Sequence, residues 1–162
     1  MSASDEQEAR TSRVIYAAEA TVTGGRAEGH GRTRDGTLDV QLRLPEEMGG
    51  GGGGTNPEQL FAVGYAACLE SAIGVVGRRE RADVGDVSID SRVSLRPTKE
   101  RAFELAVELD VSLPQVDDPE RAVRIVTEAH RVCPYSKATH GNVEVRTTVN
   151  GRPASSRVPR SE

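Results

Sequence analysis

The sequence contains few aromatic residues. It has no tryptophan, two phenylalanines and three tyrosines in 162 residues, while hydrophobic residues make up 36% of the chain. A core must therefore be built mainly from Val, Leu, Ile and Ala. The length is enough for one domain with a substantial core. The small number of aromatic residues favours a core that is shared in an oligomer over a self-sufficient monomer.

Long apolar runs and clusters of positive charge are also absent. No run of 18 apolar residues is present, which argues against a transmembrane helix. The N-terminal sequence MSASDEQEARTSR is polar and acidic and lacks the apolar segment of a secretory signal. We therefore expect a cytoplasmic protein without a membrane partner. The formal net charge of -4, scattered basic residues and no helix-turn-helix pattern argue against a nucleic-acid partner.

Several motifs for bound cofactors and metals are missing. The glycine run at 49–54 is not followed by the Lys-Ser/Thr of a phosphate-binding loop. His30, His130 and His140 do not form a metal-binding pattern, and no Gly-x-Ser-x-Gly motif is present. We expect no bound cofactor and no metal. The two cysteines, in a reducing compartment, are expected to be buried thiols or a redox pair rather than a structural disulfide.

The order of apolar patterns predicts an α+β fold with the order ββ-α-ββ-α-β. Alternating apolar residues predict strands, and apolar residues at helical spacing predict helices. The glycine-rich segments 24–36 and 45–54 are interpreted as a hairpin-like connection and a flexible loop. A domain at 13–150 is expected between flexible ends at 1–12 and 151–162. The predicted strands are Val14–Thr23, Thr37–Leu44, Asp86–Leu95, Phe103–Leu113 and Asn142–Val149, and the predicted helices run from Pro57 to about Ala82 and from Pro119, capped by Asp118, to near Cys133.

Cys68 lies in the middle of the first long helix. Helical spacing places it on one face with Phe61, Gly64, Tyr65, Ala72 and Val75, where the small residues leave room beside the sulfur. A buried structural cysteine is one interpretation. The other is a reactive thiol, which must ionise to act as a nucleophile, although apolar surroundings oppose ionisation. A reactive Cys68 therefore needs a cation from another part of the fold.

Arg26 and Cys133 are candidates to assist Cys68. Arg26 follows Gly24-Gly25, and a glycine pair lets the backbone turn sharply and direct the guanidinium, although a solvated loop charge is the other interpretation. Cys133 precedes Pro134, which ends the second helix. A second thiol can resolve an oxidised cysteine by forming a disulfide. The spacing of the two cysteines does not establish that they meet.

The motifs NPEQLFAVGYAAC and HRVCPYSKATHGN, with GGRAEG after the first strand, closely resemble the organic hydroperoxide resistance proteins, a branch of the OsmC/Ohr family. The resemblance covers residues 13–150. It implies a cysteine peroxidase that reduces organic hydroperoxides to alcohols. It assigns the peroxidatic cysteine to Cys68, the resolving cysteine to Cys133, and the catalytic arginine and glutamate to Arg26 and Glu58.

The resemblance also implies an intertwined homodimer with two sheets, central helices and active sites at the subunit interface. The implied reductant is a dithiol, typically a lipoyl group on a lipoylated protein, used as a co-substrate. Because Glu58 and Cys68 are separated by about 15 Å along one helix, we hypothesise that each site takes Cys68 from one chain and Glu58 from the other.

Two features depart from the family pattern: Leu69 follows the peroxidatic cysteine where Phe is usual, and the polar extensions at both termini are longer. Leu69 is expected to alter the pocket without changing the sulfur chemistry. Two other interpretations remain open beside the peroxidase. One is a redox sensor or binding protein that uses the cysteine pair to change shape, and the other is a structural domain with two inert thiols.

Overall fold

The computed structural model describes residues 13–157 and has an α+β fold with two sheets. The chain divides into two compact units, with the boundary between Asn56 and Pro57. The α+β class with two sheets is as predicted. Residues 1–12, expected to be flexible, lie outside the described residues, and so do residues 158–162.

The first unit is a three-stranded antiparallel sheet in the order β1-β2-β3. A short helix α1 joins β1 to β2, and a single 3₁₀ turn follows β3. The chain then returns to β3, where Thr55 pairs with Leu42. The elements are β1 (Ala20–Thr23), α1 (Gly25–Glu28), β2 (Gly29–Thr33), β3 (Asp39–Arg43) and the 3₁₀ turn (Glu46–Met48).

The sequence interpretation of this unit was partly wrong. Segment 24–36, expected to be a connection, contains the central strand β2, and the predicted strand at Val14–Thr23 is confined to its last four residues. Strand β2 follows a turn in which Gly24 and Gly25 both have positive φ. A Cβ on Gly29 would lie within 1.9 Å of the Gly25 carbonyl oxygen, so only glycine fits there. These glycines permit the close approach of strand and turn.

The second unit packs helices against a four-stranded sheet in the order β4-β5-β6-β7. Strands β4 and β5 are an antiparallel hairpin, β6 runs parallel to β5, and β7 is antiparallel to β6. The elements are α2 (Pro57–Arg79), β4 (Ser88–Pro97), β5 (Phe103–Ser112), α3 (Pro119–Val132), α4 (Pro134–Thr139), β6 (Glu144–Val149) and β7 (Arg152–Ala154).

Most predicted elements of this unit are confirmed. The Asp118 side chain caps α3 by accepting hydrogen bonds from the N–H groups of Glu120 and Arg121. Helix α2 ends at Arg79, slightly earlier than expected. Two elements were not predicted: the short helix α4, and β7, which lies inside the expected flexible tail at 151–162.

The core of the second unit is aliphatic, as the composition predicts. Apart from Tyr65 and Cys133, its buried members are Val, Leu, Ile and Ala residues from α2, β5, α3 and β6 and from the connection between β5 and α3. Leu69 is fully buried among them. Helix α2 is long and apolar enough to cross a membrane by length and composition, but a core helix of a soluble protein has the same properties, and α2 contributes six buried residues.

Candidate active site

The fold of the second unit brings the two cysteines together. The Sγ atoms of Cys68 and Cys133 are 3.3 Å apart, and neither cysteine is in a disulfide. Cys68 is partly buried, whereas Cys133 is completely inaccessible to solvent. The pairing implied by the family resemblance is therefore present in the geometry of one chain, and one of the two thiols can be reached from outside.

Each cysteine is positioned by a different kind of backbone. Cys68 lies within the uninterrupted helix α2. Cys133 lies at the break between α3 and α4, where its N–H donates to the carbonyl of Ala129 (2.8 Å) and its carbonyl accepts from the N–H of Lys137 (3.1 Å). Pro134 cannot donate the hydrogen bond that would continue α3, which explains the break. The predicted helix end at Cys133-Pro134 is thus confirmed.

Three of the chain's five aromatic residues gather beside this pair. The rings of Phe61, Tyr65 and Tyr135 have centroid separations of 5.9–6.0 Å, and Phe61 meets Tyr65 edge to face. Tyr135 packs against Gly64, one of the small residues that share a helix face with Cys68: a Cβ on Gly64 would lie 3.3 Å from the Tyr135 hydroxyl. Sequence reasoning missed Tyr135, although its place in the Cys-Pro-Tyr-Ser motif pointed to it.

The surroundings of Cys68 hold its thiol in the neutral form. Burial raises the pKa of the Cys68 thiol, and the neighbouring Cys133 raises it further. The backbone N–H of Tyr135, near the start of α4, donates to the sulfur and opposes this shift because it stabilises the thiolate. Burial nevertheless dominates, so a nucleophilic Cys68 needs a further positive charge.

Behind Cys133 lies a buried polar network. His130 Nδ1 is 2.7 Å from the Ser136 hydroxyl and its Nε2 is 3.0 Å from the Thr147 hydroxyl. The Tyr65 hydroxyl is hydrogen-bonded to Ser136 (3.1 Å) and Thr139 (3.2 Å). Burial lowers the pKa of His130 to about 4, so its imidazole is neutral at pH 7.

The network was not predicted, although one sequence signal was available. His130 follows Val126 by four residues and therefore falls on the apolar stripe of α3, which indicates a buried histidine. The hydroxyl partners come from α2, α4 and β6, so no local pattern identifies them.

The two other predicted site residues, Arg26 and Glu58, lie in the short helix α1 and at the start of the long helix α2. Arg26 is in α1, directly after the Gly24-Gly25 turn, and Glu58 is in the first turn of α2. Glu58 precedes Cys68 by ten residues on that helix, about 15 Å along its axis. The sharp turn before Arg26 is confirmed by the positive φ of both glycines. The catalytic roles of Arg26 and Glu58 remain predictions.

No metal-binding cluster occurs within residues 13–157, since no three His, Cys, Asp or Glu side chains there are grouped to hold an ion. The carboxylates of Glu104, Glu108 and Asp110 on β5 are exposed on the sheet face. The chemistry that this site offers is that of two adjacent thiols.

The chain is similar to known proteins over most of its length. Residues 49–148 match the family model described as OsmC-like protein. The organic hydroperoxide resistance protein of Xanthomonas axonopodis pv. citri (strain 306) is 47% identical over 139 residues, covering 85% of this chain and 96% of that protein.

Two solved structures are also similar over nearly their whole length. An organic hydroperoxide resistance protein from Legionella pneumophila has a TM-score of 0.81 and 47% identity, covering 85% of this chain and 98% of that one. The organic hydroperoxide resistance protein OhrB of Bacillus subtilis has a TM-score of 0.78 and 40% identity, covering 85% and 100%. The chain therefore belongs to the OsmC/Ohr family, on the branch of the organic hydroperoxide resistance proteins.

Proposed function

We propose that the chain is a cysteine-based peroxidase that reduces organic hydroperoxides to alcohols. The Cys68 thiolate attacks the distal oxygen of the hydroperoxide, the O–O bond breaks, and the alkoxide leaves and takes a proton to give the alcohol. Cys68 is left as a sulfenic acid. The Cys133 thiol then attacks that sulfur, forming the disulfide and releasing water. An external dithiol reduces the disulfide and becomes a disulfide itself.

The observation that carries this proposal is the 3.3 Å separation of the two sulfurs. A disulfide has an S–S distance of about 2.05 Å, so the sulfurs need to approach by only about 1.3 Å. The difference in accessibility supports the proposed roles. Cys68 is partly exposed and meets the peroxide, whereas the fully buried Cys133 reacts only with its neighbour.

Activation of Cys68 is assigned to Arg26, with Glu58 as its partner. Because burial raises the pKa of Cys68, a guanidinium beside the sulfur would favour the thiolate and stabilise the negative charge on the leaving oxygen. A carboxylate can orient a guanidinium through a bidentate ion pair. We retain the hypothesis that Glu58 of one chain serves the Cys68 of the other.

A homodimer is supported by exposed apolar side chains in both units. Ile15 is 94% exposed and Val22 58%, and in the second unit Val63 on α2 is 72% exposed and Phe103 67%. A second copy of the chain is the partner that we propose for them, which agrees with the low aromatic content. Light scattering during gel filtration should give a mass near twice 17.3 kDa; a monomer at micromolar concentration would contradict the dimer.

The aromatic cluster suggests the substrate class. Phe61, Tyr65 and Tyr135 offer apolar ring surface beside the thiol, which suits an alkyl or aryl group of a hydroperoxide. Burying about 100 Å² of apolar ligand surface contributes about 2.5 kcal/mol. Hydrogen peroxide has no such surface, so bulky organic hydroperoxides should react faster. The proposed reductant is a dithiol such as a lipoyl group on a protein partner, and the proposed location is the cytoplasm.

The first test is peroxide consumption by the purified protein with dihydrolipoamide as reductant. Cumene hydroperoxide and hydrogen peroxide are compared for the wild type and Cys68→Ser. We expect rapid turnover of cumene hydroperoxide, slower turnover of hydrogen peroxide and loss of both in the variant. A disulfide that forms once, without turnover, would point to a redox sensor instead. A wild-type protein whose thiols ignore both peroxides would mean that the cysteines are structural.

A further inference from the structure

The buried polar residues of the second unit are concentrated around the cysteine pair. Five polar or charged side chains are buried within residues 13–157, and four of them belong to the network behind Cys133: His130, Ser136, Thr139 and Thr147. Buried polar groups stabilise a fold little beyond what apolar residues of similar shape provide, yet they specify geometry when all are hydrogen-bonded. Both ring nitrogens of His130 have partners, so the network is satisfied at its centre.

The network links every segment that carries a cysteine. Tyr65 lies on α2, three residues before Cys68. His130 and Ser136 lie three residues before and after Cys133, on α3 and α4, so their hydrogen bond spans the helix break. The hydrogen bond between Tyr65 and Ser136 then ties this break to α2.

The far end of the network is fixed to the sheet. His130 Nε2 is hydrogen-bonded to the Thr147 hydroxyl on β6, which runs parallel to β5 as one of the two inner strands. The chain of side-chain hydrogen bonds therefore runs from the sheet through α3 and α4 to α2. Removing one link leaves the Cys133 segment with fewer side-chain hydrogen bonds to add to its packing and its backbone hydrogen bonds.

We propose that Tyr65, Ser136, His130 and Thr147 are positioning residues that hold Cys133 against Cys68, and thereby set how fast the disulfide closes. This inference rests on the proposed function for its biological role, since closure, the formation of the Cys68–Cys133 disulfide, competes with further oxidation of Cys68. A sulfenic acid at Cys68 can condense with the Cys133 thiol to give a disulfide and water. It can instead react with a second hydroperoxide, giving a sulfinic acid and an alcohol, which is irreversible in this setting.

Closure can be measured without any peroxide. The aromatic disulfide 5,5′-dithiobis(2-nitrobenzoate) forms a mixed disulfide with the accessible Cys68 and releases one thionitrobenzoate. Attack of Cys133 on the Cys68 sulfur then releases the second, and the rate of that second release is the closure rate. We expect it to fall about tenfold in Ser136→Ala and in Thr147→Val, the change in rate that 1.4 kcal/mol of barrier produces.

Matched variants separate positioning from general loosening of the fold. Thr147→Ser keeps the hydroxyl and should close at nearly the wild-type rate, unlike Thr147→Val. Val107→Ala opens a cavity in the same core without touching the network, because Val107 is a buried residue of β5. We expect Val107→Ala to lose about as much stability as Thr147→Val, but to keep the wild-type closure rate.

A peroxide titration links closure to function. Mass spectrometry after increasing cumene hydroperoxide should show sulfinic acid at Cys68 at about tenfold lower peroxide in Ser136→Ala than in the wild type. Wild-type closure rates in Ser136→Ala and Thr147→Val, or equal slowing in Val107→Ala, would overturn the inference. If Cys68 ignores hydroperoxide but closure is still slowed in the network variants, the proposed function fails and the positioning role stands.

Discussion

The two cysteines are 3.3 Å apart, yet their surroundings differ in access and in what fixes the backbone. Cys68 lies on an uninterrupted helix, is partly exposed and accepts a hydrogen bond from the backbone N–H of Tyr135. Cys133 is fully buried at a break between two helices, with His130 and Ser136 hydrogen-bonded across that break. One thiol is accessible to solvent, and the other is inaccessible and contacts the first.

This difference suggests that the backbone holds Cys68 more firmly than Cys133. In the proposed function, the uninterrupted helix keeps the Cys68 sulfur in one place, so the side chains beside it can select a substrate. A helix break allows the second sulfur to advance by the small distance that a disulfide requires. Hydrogen bonds on both sides of the break limit that freedom, so that the advance is short and directed.

The largest expected effect comes from removing each thiol in turn. Cys68→Ser should consume no hydroperoxide. Cys133→Ser should still consume hydroperoxide in the first turnover, after which Cys68 proceeds to sulfinic acid because no thiol resolves it. Intact-mass measurement after one and ten equivalents of cumene hydroperoxide distinguishes these products. If Cys133→Ser were the inactive variant and Cys68→Ser reacted, the assignment of roles from accessibility would be reversed.

A smaller effect is expected from acid, through protonation of His130 on the Cys133 side of the pair. His130 has an ordinary pKa of 6.5 and a folded-state pKa of about 4. Since the folded pKa is the lower one, the unfolded chain binds the proton first, and stability falls as the pH decreases from 6.5 to 4. The free energy of unfolding should decrease by up to about 3 kcal/mol over this range.

Urea denaturation at pH 7, 6, 5 and 4 measures this slope. His130→Gln keeps a donor and an acceptor but does not titrate, so it serves as the control and should show a shallower slope between pH 6.5 and 4. Carboxylates whose pKa is lowered, such as Glu144, contribute mainly at lower pH in both proteins. Parallel slopes for the two proteins would show that His130 is protonated as easily in the fold as outside it.

The sequence was most informative where the pattern is local. Helical spacing in α3 indicates an apolar stripe of Ala122, Ile125, Val126, Ala129 and Val132. The first four are buried, and Val132 is only partly buried. Both the spacing and the Asp118 cap are local features of one segment, so the sequence alone could indicate them. Strand β2 was missed because Gly29–Thr33 has no apolar alternation, and it is fixed instead by pairing with β1 and β3 on both sides. Strand pairing depends on residues that are distant in the sequence, so a short segment read by itself does not reveal it.

The same limit applies to the active site. Spacing alone did not establish that Cys68 and Cys133 meet, and only the family resemblance implied the pair. Tyr135 and Ser136 stand beside Cys133 in the sequence, but their contacts with Gly64 and Tyr65 on α2 depend on how α4 folds back. The sequence therefore identified the two candidate cysteines, whereas the hydrogen-bonded groups beside them became visible only in the tertiary structure.

The smallest expected effect tests whether the far end of α3 matters to Cys133. Asp118→Ala removes the helix cap and should lower the free energy of unfolding by about 1 kcal/mol, whereas Asp118→Asn should preserve most of it. Asp118 lies 15 residues before Cys133, about 22 Å along the helix. Urea denaturation measures the stability, and the release of the second thionitrobenzoate measures disulfide closure.

We expect closure to be unchanged in Asp118→Ala, because the hydrogen bonds across the break between α3 and α4 remain intact. A closure rate reduced as far as in Ser136→Ala would mean that Cys133 responds to the stability of the whole helix. In that case the hydrogen bonds of His130 and Ser136 would have no special part in holding the buried thiol, and the contrast between the two cysteines would reduce to their accessibility.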